Sequence, residues 1–168
     1  RKGQPTRPPN GIIVAVSVHD LLTKTPTQQA MQATAIKRRI QELNDHLDME
    51  LPVYVLLTKC DLIAGFNEFF SDLEHEEREQ AWGVTFPLGK ASATGTHLTK
   101  FAEDFRTLLA RANDRVLYRL NGVADANRRG LVFDFPRQML SLEERLSAFL
   151  QDVFTPNQFE QPALLRGV

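Results

Sequence analysis

Apolar residues along this chain fall into sharply bounded runs, and the spacing inside each run predicts its element. Ile12-Ile-Val-Ala-Val-Ser-Val18 is nearly continuous and rich in β-branched residues, the pattern of a strand buried in a parallel sheet. His19 and Asp20 follow, then a polar loop through Pro26. From Thr27 to Leu47 the period changes: Ile36, Ile40, Leu43 and Leu47 form one helical stripe, with Lys37, Arg38, Arg39 and Glu42 on the other faces. Pro52 then opens a second strand, Val53 to Leu57. Strand, helix and strand in this order imply a right-handed crossover and parallel pairing. The predicted fold class is therefore α/β, a three-layer parallel sheet with flanking helices.

Further on, Phe66, Phe69, Phe70 and Leu73 are spaced for a helical face that continues into the acidic segment Glu74 to Glu79. Trp82-Gly83 and Phe86-Pro87 end that helix, and Leu88 to Gly95 reads as a loop. A long helix follows over about Thr96 to Leu120, with Leu98, Phe101, Phe105, Leu108, Leu109, Ala112 and Val116 on one broad face. After a polar break at Asn121 to Gly130, Leu131-Val-Phe-Asp-Phe135 reads as a third strand stopped by Pro136. Ser141-Leu-Glu-Glu144 has the form of a capping box and opens a last helix, with Leu142, Leu146, Phe149, Leu150 and Val153 facing inward. Pro156 ends that helix, and Leu164-Leu165 in the tail starts a further strand.

Composition narrows the function classes. The 168 residues suit one domain with a sizeable core. With 42% hydrophobic and 24% charged residues the balance is that of a soluble globular protein. A net charge of -1 gives no general drive toward nucleic acid or anionic lipid. A single cysteine, Cys60, excludes an internal disulfide. No apolar run approaches the roughly 20 residues of a membrane span. The start, Arg1 to Pro9, is basic and Pro-rich, reads as a linker and lacks a signal-peptide core; the missing initiator Met points to a fragment or processed chain.

The chemistry-bearing segment is Leu51-Pro-Val-Tyr-Val-Leu-Leu-Thr-Lys-Cys-Asp-Leu62, where an apolar strand ends in Thr58-Lys59-Cys60-Asp61. This layout resembles the base-recognition segment of a GTPase-like fold, usually Asn-Lys-x-Asp after a buried strand. There the Asp accepts two hydrogen bonds from guanine and the Lys stem packs on the purine. Thr58 replaces the Asn, and a hydroxyl does not reproduce a carboxamide's paired donor and acceptor. The other reading is a plain strand-to-helix turn in which Asp61 caps the next helix. No Gly-x-x-x-x-Gly-Lys-Ser/Thr phosphate loop occurs in the sequence. The element order therefore resembles the second half of a P-loop GTPase-like fold without its phosphate loop. In that fold the loop after the next strand also approaches the base; here it would be Pro136 to Leu140, which lacks a Ser-Ala-Lys type of sequence.

Other candidates carry less. His19 and Asp20, at the carboxyl end of a strand, suit a ligand or proton shuttle, or else a loop residue with Asp20 as a cap, the preferred reading. His75-Glu76 lacks the second His of a zinc-protease motif. Cys60 has no Cys-x-x-Cys partner and reads as a small packed side chain rather than a nucleophile. No Gly-x-Ser-x-Gly and no cysteine cluster is present, so no metal ligands and no catalytic residues are assigned.

Longer phrases carry a more specific resemblance. Asn10-Gly-Ile-Ile-Val-Ala-Val-Ser-Val18, Leu51 to Leu62, Ala64-Gly-Phe-Asn-Glu-Phe-Phe70, Glu76-Glu-Arg-Glu-Gln-Ala-Trp-Gly83, Val132-Phe-Asp-Phe-Pro136 and Phe159 to Val168 together resemble the cytoplasmic domain of the IcmF/TssM family. These are large inner-membrane components of bacterial type VI secretion systems. The resemblance implies a full-length protein embedded in the inner membrane, with this NTPase-like part on the cytoplasmic face. It implies TssL, TssJ and baseplate proteins as partners, and no nucleic acid. Many members of the family carry a phosphate loop upstream of this region, so no cofactor is expected in this fragment, while GTP or ATP with magnesium would belong to the full-length protein.

On this reading residues 1–10 are a linker, 11–155 a partial NTPase-like domain and 156–168 a tail leading into the next segment. The expected role is a cytoplasmic scaffold and interaction domain of the secretion membrane complex. The alternative is the base-binding half of a GTP- or ATP-dependent switch, with Thr58, Lys59 and Asp61 reading the base. A third class, a small α/β enzyme using His19 and Asp20, lacks a nucleophile and base pair in the sequence. A sheet without its central phosphate-loop strand would leave exposed edges, so a compensating contact is expected, either dimerisation in a crystal or a rearranged terminus.

Overall fold

The computed structural model describes residues 9–87, 94–156 and 163–168. Three parallel strands lie in the order β1 (Ile12–Ser17), β2 (Pro52–Thr58) and β3 (Leu164–Gly167). Between β1 and β2 run α1 (Val18–Thr23) and α2 (Pro26–Leu47). After β2 come a short 3-10 turn (Cys60–Leu62), α3 (Phe66–Phe69), α4 (His75–Arg78), α5 (Thr94–Asn121), α6 (Ala126–Leu140) and α7 (Glu143–Phe154). The mixed α/β class and the parallel β1–β2 pairing predicted from the sequence are both present.

Local chemistry sets the crossover. The Ser17 hydroxyl accepts from the Asp20 amide at 3.3 Å and starts α1 straight off the strand, so His19 and Asp20 sit in a helix rather than a polar loop. Thr25 and Gln28 form a reciprocal capping box, and Pro26 in the first turn needs no N–H partner. Asp48, at φ 51°, closes α2 in the left-handed region. The Asn44 side chain then accepts from the Leu51 amide at 3.2 Å and leads the chain into β2.

Inward-facing Val14, Val16, Val53, Val55 and Leu165 bury one face of the sheet. α2 packs on α7, and α5 packs on α6, α7 and β3. The opposite face carries Ile13, Ala15, Tyr54 and Leu56, all exposed. Among the described residues the arrangement is thus helices on one side of a small sheet, not the predicted three layers.

The segment Leu131 to Phe135 is the main departure from expectation. It lies inside α6, and Pro136 to Met139 continue that helix, so the predicted loop beside a nucleotide base does not exist there. The buried residues are Val132, Phe135, Pro136 and Met139, a helical stripe, while Phe133 is 67% exposed. Strand alternation would have placed Leu131, Phe133 and Phe135 on one side. A five-residue run with four apolar positions is too short to separate the two periods. The third strand is instead Leu164–Gly167, where the tail's two leucines predicted one.

Two smaller corrections follow the same logic. The helix expected over Phe66 to Glu79 is broken into α3 and α4, because Arg119 takes the carbonyls that would continue it, as described below. Ser141 does not cap α7: its hydroxyl donates to the Gln138 carbonyl at 2.6 Å and closes α6, leaving Leu142 at the start of α7 without a side-chain cap. Of the loop expected over Leu88 to Gly95, residues 88–93 lie outside the described residues, as does most of the linker, and Thr94 and Gly95 already belong to α5.

Candidate functional site

Parallel pairing in the register Ser17 to Thr58 sets the carboxyl ends of β1 and β2 side by side. Open α/β sheets bind ligands beyond such ends. The Thr58 hydroxyl donates to the Val16 carbonyl at 3.4 Å, so it ties the two strands together at the rim. Lys59 then turns into the left-handed region at φ 60°. Its carbonyl accepts from Leu62 at 3.1 Å, and the Cys60 carbonyl accepts from Ile63 at 2.9 Å, which closes the 3-10 turn. This sharp reversal leaves Lys59 and Asp61 exposed on the rim. Asp61 does not cap the next helix, since Gly65 is the N-cap of α3 and no side chain caps it.

Asp20 faces the same rim from α1. A hydrogen bond to Lys24 holds its carboxyl below the usual carboxylate range; the charges of Lys24 and Lys59 and the Ser17 contact act the same way, and partial burial opposes them. Its Oδ2 lies 2.6 Å from the Lys24 ammonium. Lys59 therefore shares a local field with Asp20, and the structure brings the two sequence candidates together. His19 points to solvent and joins no cluster with them. Among the described residues no group of three or more His, Cys, Asp or Glu side chains could hold a metal ion.

Cys60 turns inward. Burial, and secondarily the Asp61 charge, pushes its thiol above the ordinary value, and Sγ lies 3.6 Å from the Leu57 carbonyl. A thiol in that setting stays protonated near neutrality and is a poor nucleophile.

The turn is anchored from behind by Gly65. At φ +86°, a Cβ there would lie 2.2 Å from the Leu131 carbonyl oxygen, so only glycine lets α6 approach this closely. Phe66, Phe69, Phe70 and Trp82 then gather around Phe135, with ring centroids between 4.7 and 6.4 Å from it.

Sequence reasoning missed the residue that organises this region. Arg119, 5% exposed, donates to the Phe69 carbonyl at 2.8 Å, the Glu68 carbonyl at 2.7 Å and the Ser71 hydroxyl at 3.0 Å. Its other terminal nitrogen pairs with Asp72 at 3.0 Å, and Arg115 pairs with the same carboxylate. One guanidinium thus satisfies the carbonyl end of α3. The signal was present in the spacing: Phe105, Leu109, Ala112, Val116 and Arg119 advance by alternating fours and threes, placing an arginine on the buried stripe.

A cavity of about 840 Å³ lies between this aromatic group and α5, with Phe70, Leu73, Trp82, Arg111 and Arg115 among its walls. Thr58, Lys59 and Asp61 do not line it. Cavity and sheet rim are separate features of the surface.

Comparison with known proteins gives a consistent result. The family model for the IcmF-related N-terminal domain matches residues 1–168. A type VI secretion system component, TssM1 of Pseudomonas aeruginosa, is 44% identical over 162 residues, covering 96% of this chain. The chain spans 15% of the length of that relative. No solved structure matches the chain.

Proposed function

The chain belongs to the IcmF/TssM family, and from that premise we propose that it serves as a scaffold and interaction domain of a type VI secretion membrane complex. Its expected place is the cytoplasmic face of the inner membrane, with TssL, TssJ and baseplate proteins as the partners of the full-length protein. No described helix is long and apolar enough to cross a membrane.

The observation that carries the scaffold reading is the state of the sheet rim. The segment expected to supply a second wall against a base, Pro136 to Leu140, is bound into α6 and its neighbouring turn. Asp20 is occupied by Lys24. What remains at the rim is Lys59 and Asp61, both exposed to solvent.

The alternative, a nucleotide switch built on a GTPase-like fold, draws support from one specific feature. The left-handed Lys59 and the 3-10 turn present Asp61 to solvent at the carboxyl edge, as a base reader would require. In that reading the full-length protein supplies the phosphate and magnesium site.

A paired experiment separates the two. In the full-length protein, an in-frame deletion of residues 11–155 is compared with Lys59→Ala and Asp61→Asn, reading effector secretion and co-purification of the membrane complex. The scaffold reading expects the deletion to abolish both while the point variants retain both. Secretion lost in Asp61→Asn, with GTP or ATP binding by calorimetry that weakens or changes base preference, would replace the scaffold with the switch.

A further inference from the structure

The break between α3 and α4 opens a cleft beside α5. Arg119 takes the Glu68 and Phe69 carbonyls, so the chain leaves its helical path at Phe70. It comes back at Trp82, whose ring lies 5.6 Å from that of Phe70. Leu108, Arg111, Ala112 and Arg115 of α5 form the other wall, at the spacing of one helical stripe. This cleft is the cavity of about 840 Å³, a size that suits a ligand.

The cleft has an apolar floor that is already braced. Phe70, Leu73 and Leu108 are partly buried, and Trp82 is 40% exposed. Phe70 packs on Phe66 and Phe69, with ring centroids 5.0 and 5.1 Å apart. Asp72 ties the end of α3 to α5 through Arg115 and Arg119, each at 3.0 Å.

Charges around the cleft are mostly committed within the molecule. Arg115 pairs with Asp72. Arg78 donates to the Leu73 carbonyl at 2.8 Å and the Ser71 carbonyl at 3.4 Å. Glu77 accepts from the Glu74 amide at 3.0 Å. Arg111 differs: it lines the same cleft, is exposed, and makes no hydrogen bond or ion pair with any described residue. The side-chain carboxamides of Asn67 and Gln80, also on the walls, have no partner among the described residues either.

This pattern selects an occupant. The floor favours a large apolar side chain. An uncommitted guanidinium beside it favours a carboxylate, which matches its planar fork. Each carboxamide offers both donors and an acceptor, the complement of a peptide main chain. A hydrocarbon chain ending in a carboxylate would use Arg111 but would leave both carboxamides against apolar surface, at a cost.

We propose that the cleft between the α3–α4 segment and α5 binds a short extended peptide of a partner protein. A large aliphatic or aromatic side chain of that peptide packs on Phe70, Leu73, Trp82 and Leu108, and a neighbouring acidic residue pairs with Arg111. Asn67 and Gln80 take the main-chain groups. The inference rests on the interaction-domain reading only in taking the ligand from a partner protein. Its test measures peptide binding rather than secretion, so the two can fail separately.

The test is selection of short random peptides, displayed on phage, against the full-length protein in lipid nanodiscs, which keep detergent out of the cleft. The enriched peptides should pair an aliphatic or aromatic residue with an acidic one a few positions away. By fluorescence polarisation they should bind Arg111→Glu more weakly by about tenfold or more. Replacing their acidic residue with lysine should reverse the preference between the two proteins, an effect that a merely structural role for Arg111 would not produce. Arg111→Ala, which adds no new charge, should weaken binding in the same direction and decides the matter if the charge reversal disturbs folding. No enrichment, enriched peptides without an acidic residue, or peptides indifferent to Arg111 would each overturn the proposal. Decanoate binding that requires Arg111, with no peptide enriched, would assign the cleft to a fatty acid and overturn it as well.

Discussion

Single buried polar residues shape this molecule more than its exposed charges do. Arg119 gathers two backbone carbonyls, a hydroxyl and the Asp72 carboxylate around one guanidinium. Replacing it with methionine keeps the apolar stem but leaves those acceptors unpaired in a buried site, at a cost of about 3 kcal/mol. Urea denaturation of Arg119→Met should show that loss, and Arg119→Lys should recover only a small part of it, because an ammonium cannot reproduce the planar fork. A loss below about 1 kcal/mol would mean that water replaces the guanidinium. His97 gives a pH-dependent counterpart. It is 5% exposed and stacked on Phe86 with centroids 4.8 Å apart. Burial lowers its pKa, Arg166 and Lys100 act the same way, and Asp104 opposes them. With the folded pKa below the unfolded value of about 6.5, the unfolded chain binds the proton first. The contribution is complete above that value and is lost as pH falls toward the folded pKa. Between pH 7.5 and 5.5 the parent Tm should therefore fall further than that of His97→Gln. Parallel curves for the two proteins would show that the imidazole accepts its proton without cost.

At the scale of elements, α6 separates what the sequence discloses from what it conceals. β1, β2, α2, α5 and α7 were legible because each carries a long or sharply bounded apolar pattern, with Pro52 opening β2 and Pro156 closing α7, whereas the Thr25–Gln28 box that starts α2 was seen only in the structure. α6 was not legible, because Leu131 to Phe135 is apolar at most positions and Pro136 imitates a strand terminator. Only tertiary contact resolves it, through the approach of the Leu131 carbonyl to Gly65 and the packing of Phe135 against four aromatic rings. Of the candidate site, the rim position of Thr58, Lys59 and Asp61 was legible from the strand that precedes them. The absent second wall was not, since it followed from the misread α6. The helix makes a prediction that a strand does not. Phe135→Ala should cost about 3–5 kcal/mol, whereas Phe133→Ala, on the outer side, should stay within about 0.5 kcal/mol. Equal losses at both positions would restore the strand.

At the scale of the whole molecule, the last strand in sequence completes a sheet begun by the first. β3 pairs with β2 across more than a hundred intervening residues, Leu165 is fully buried, and the Val84–Phe86 segment closes the outer edge of β3. Such a non-local pairing brings a large closure entropy that only cooperative burial can offset. The sheet and the helices that cover it should therefore unfold as one unit, even though β3 is only four residues long. Leu165→Ala tests this. It removes a core side chain at a cost of about 2–5 kcal/mol, and the loss should appear equally in far-ultraviolet circular dichroism and in the fluorescence of Trp82. Trp82 sits in the aromatic group around Phe135, with its ring 6.4 Å from that of Phe135, outside β3 itself. Coincident transitions shifted by the same amount would make β3 an integral part of the cooperative core. A dichroism change at lower denaturant, ahead of the Trp82 signal, would instead make β3 a separable strap that can leave β2 without melting the helices. A second edge for strand exchange would then open on the side of the sheet opposite β1.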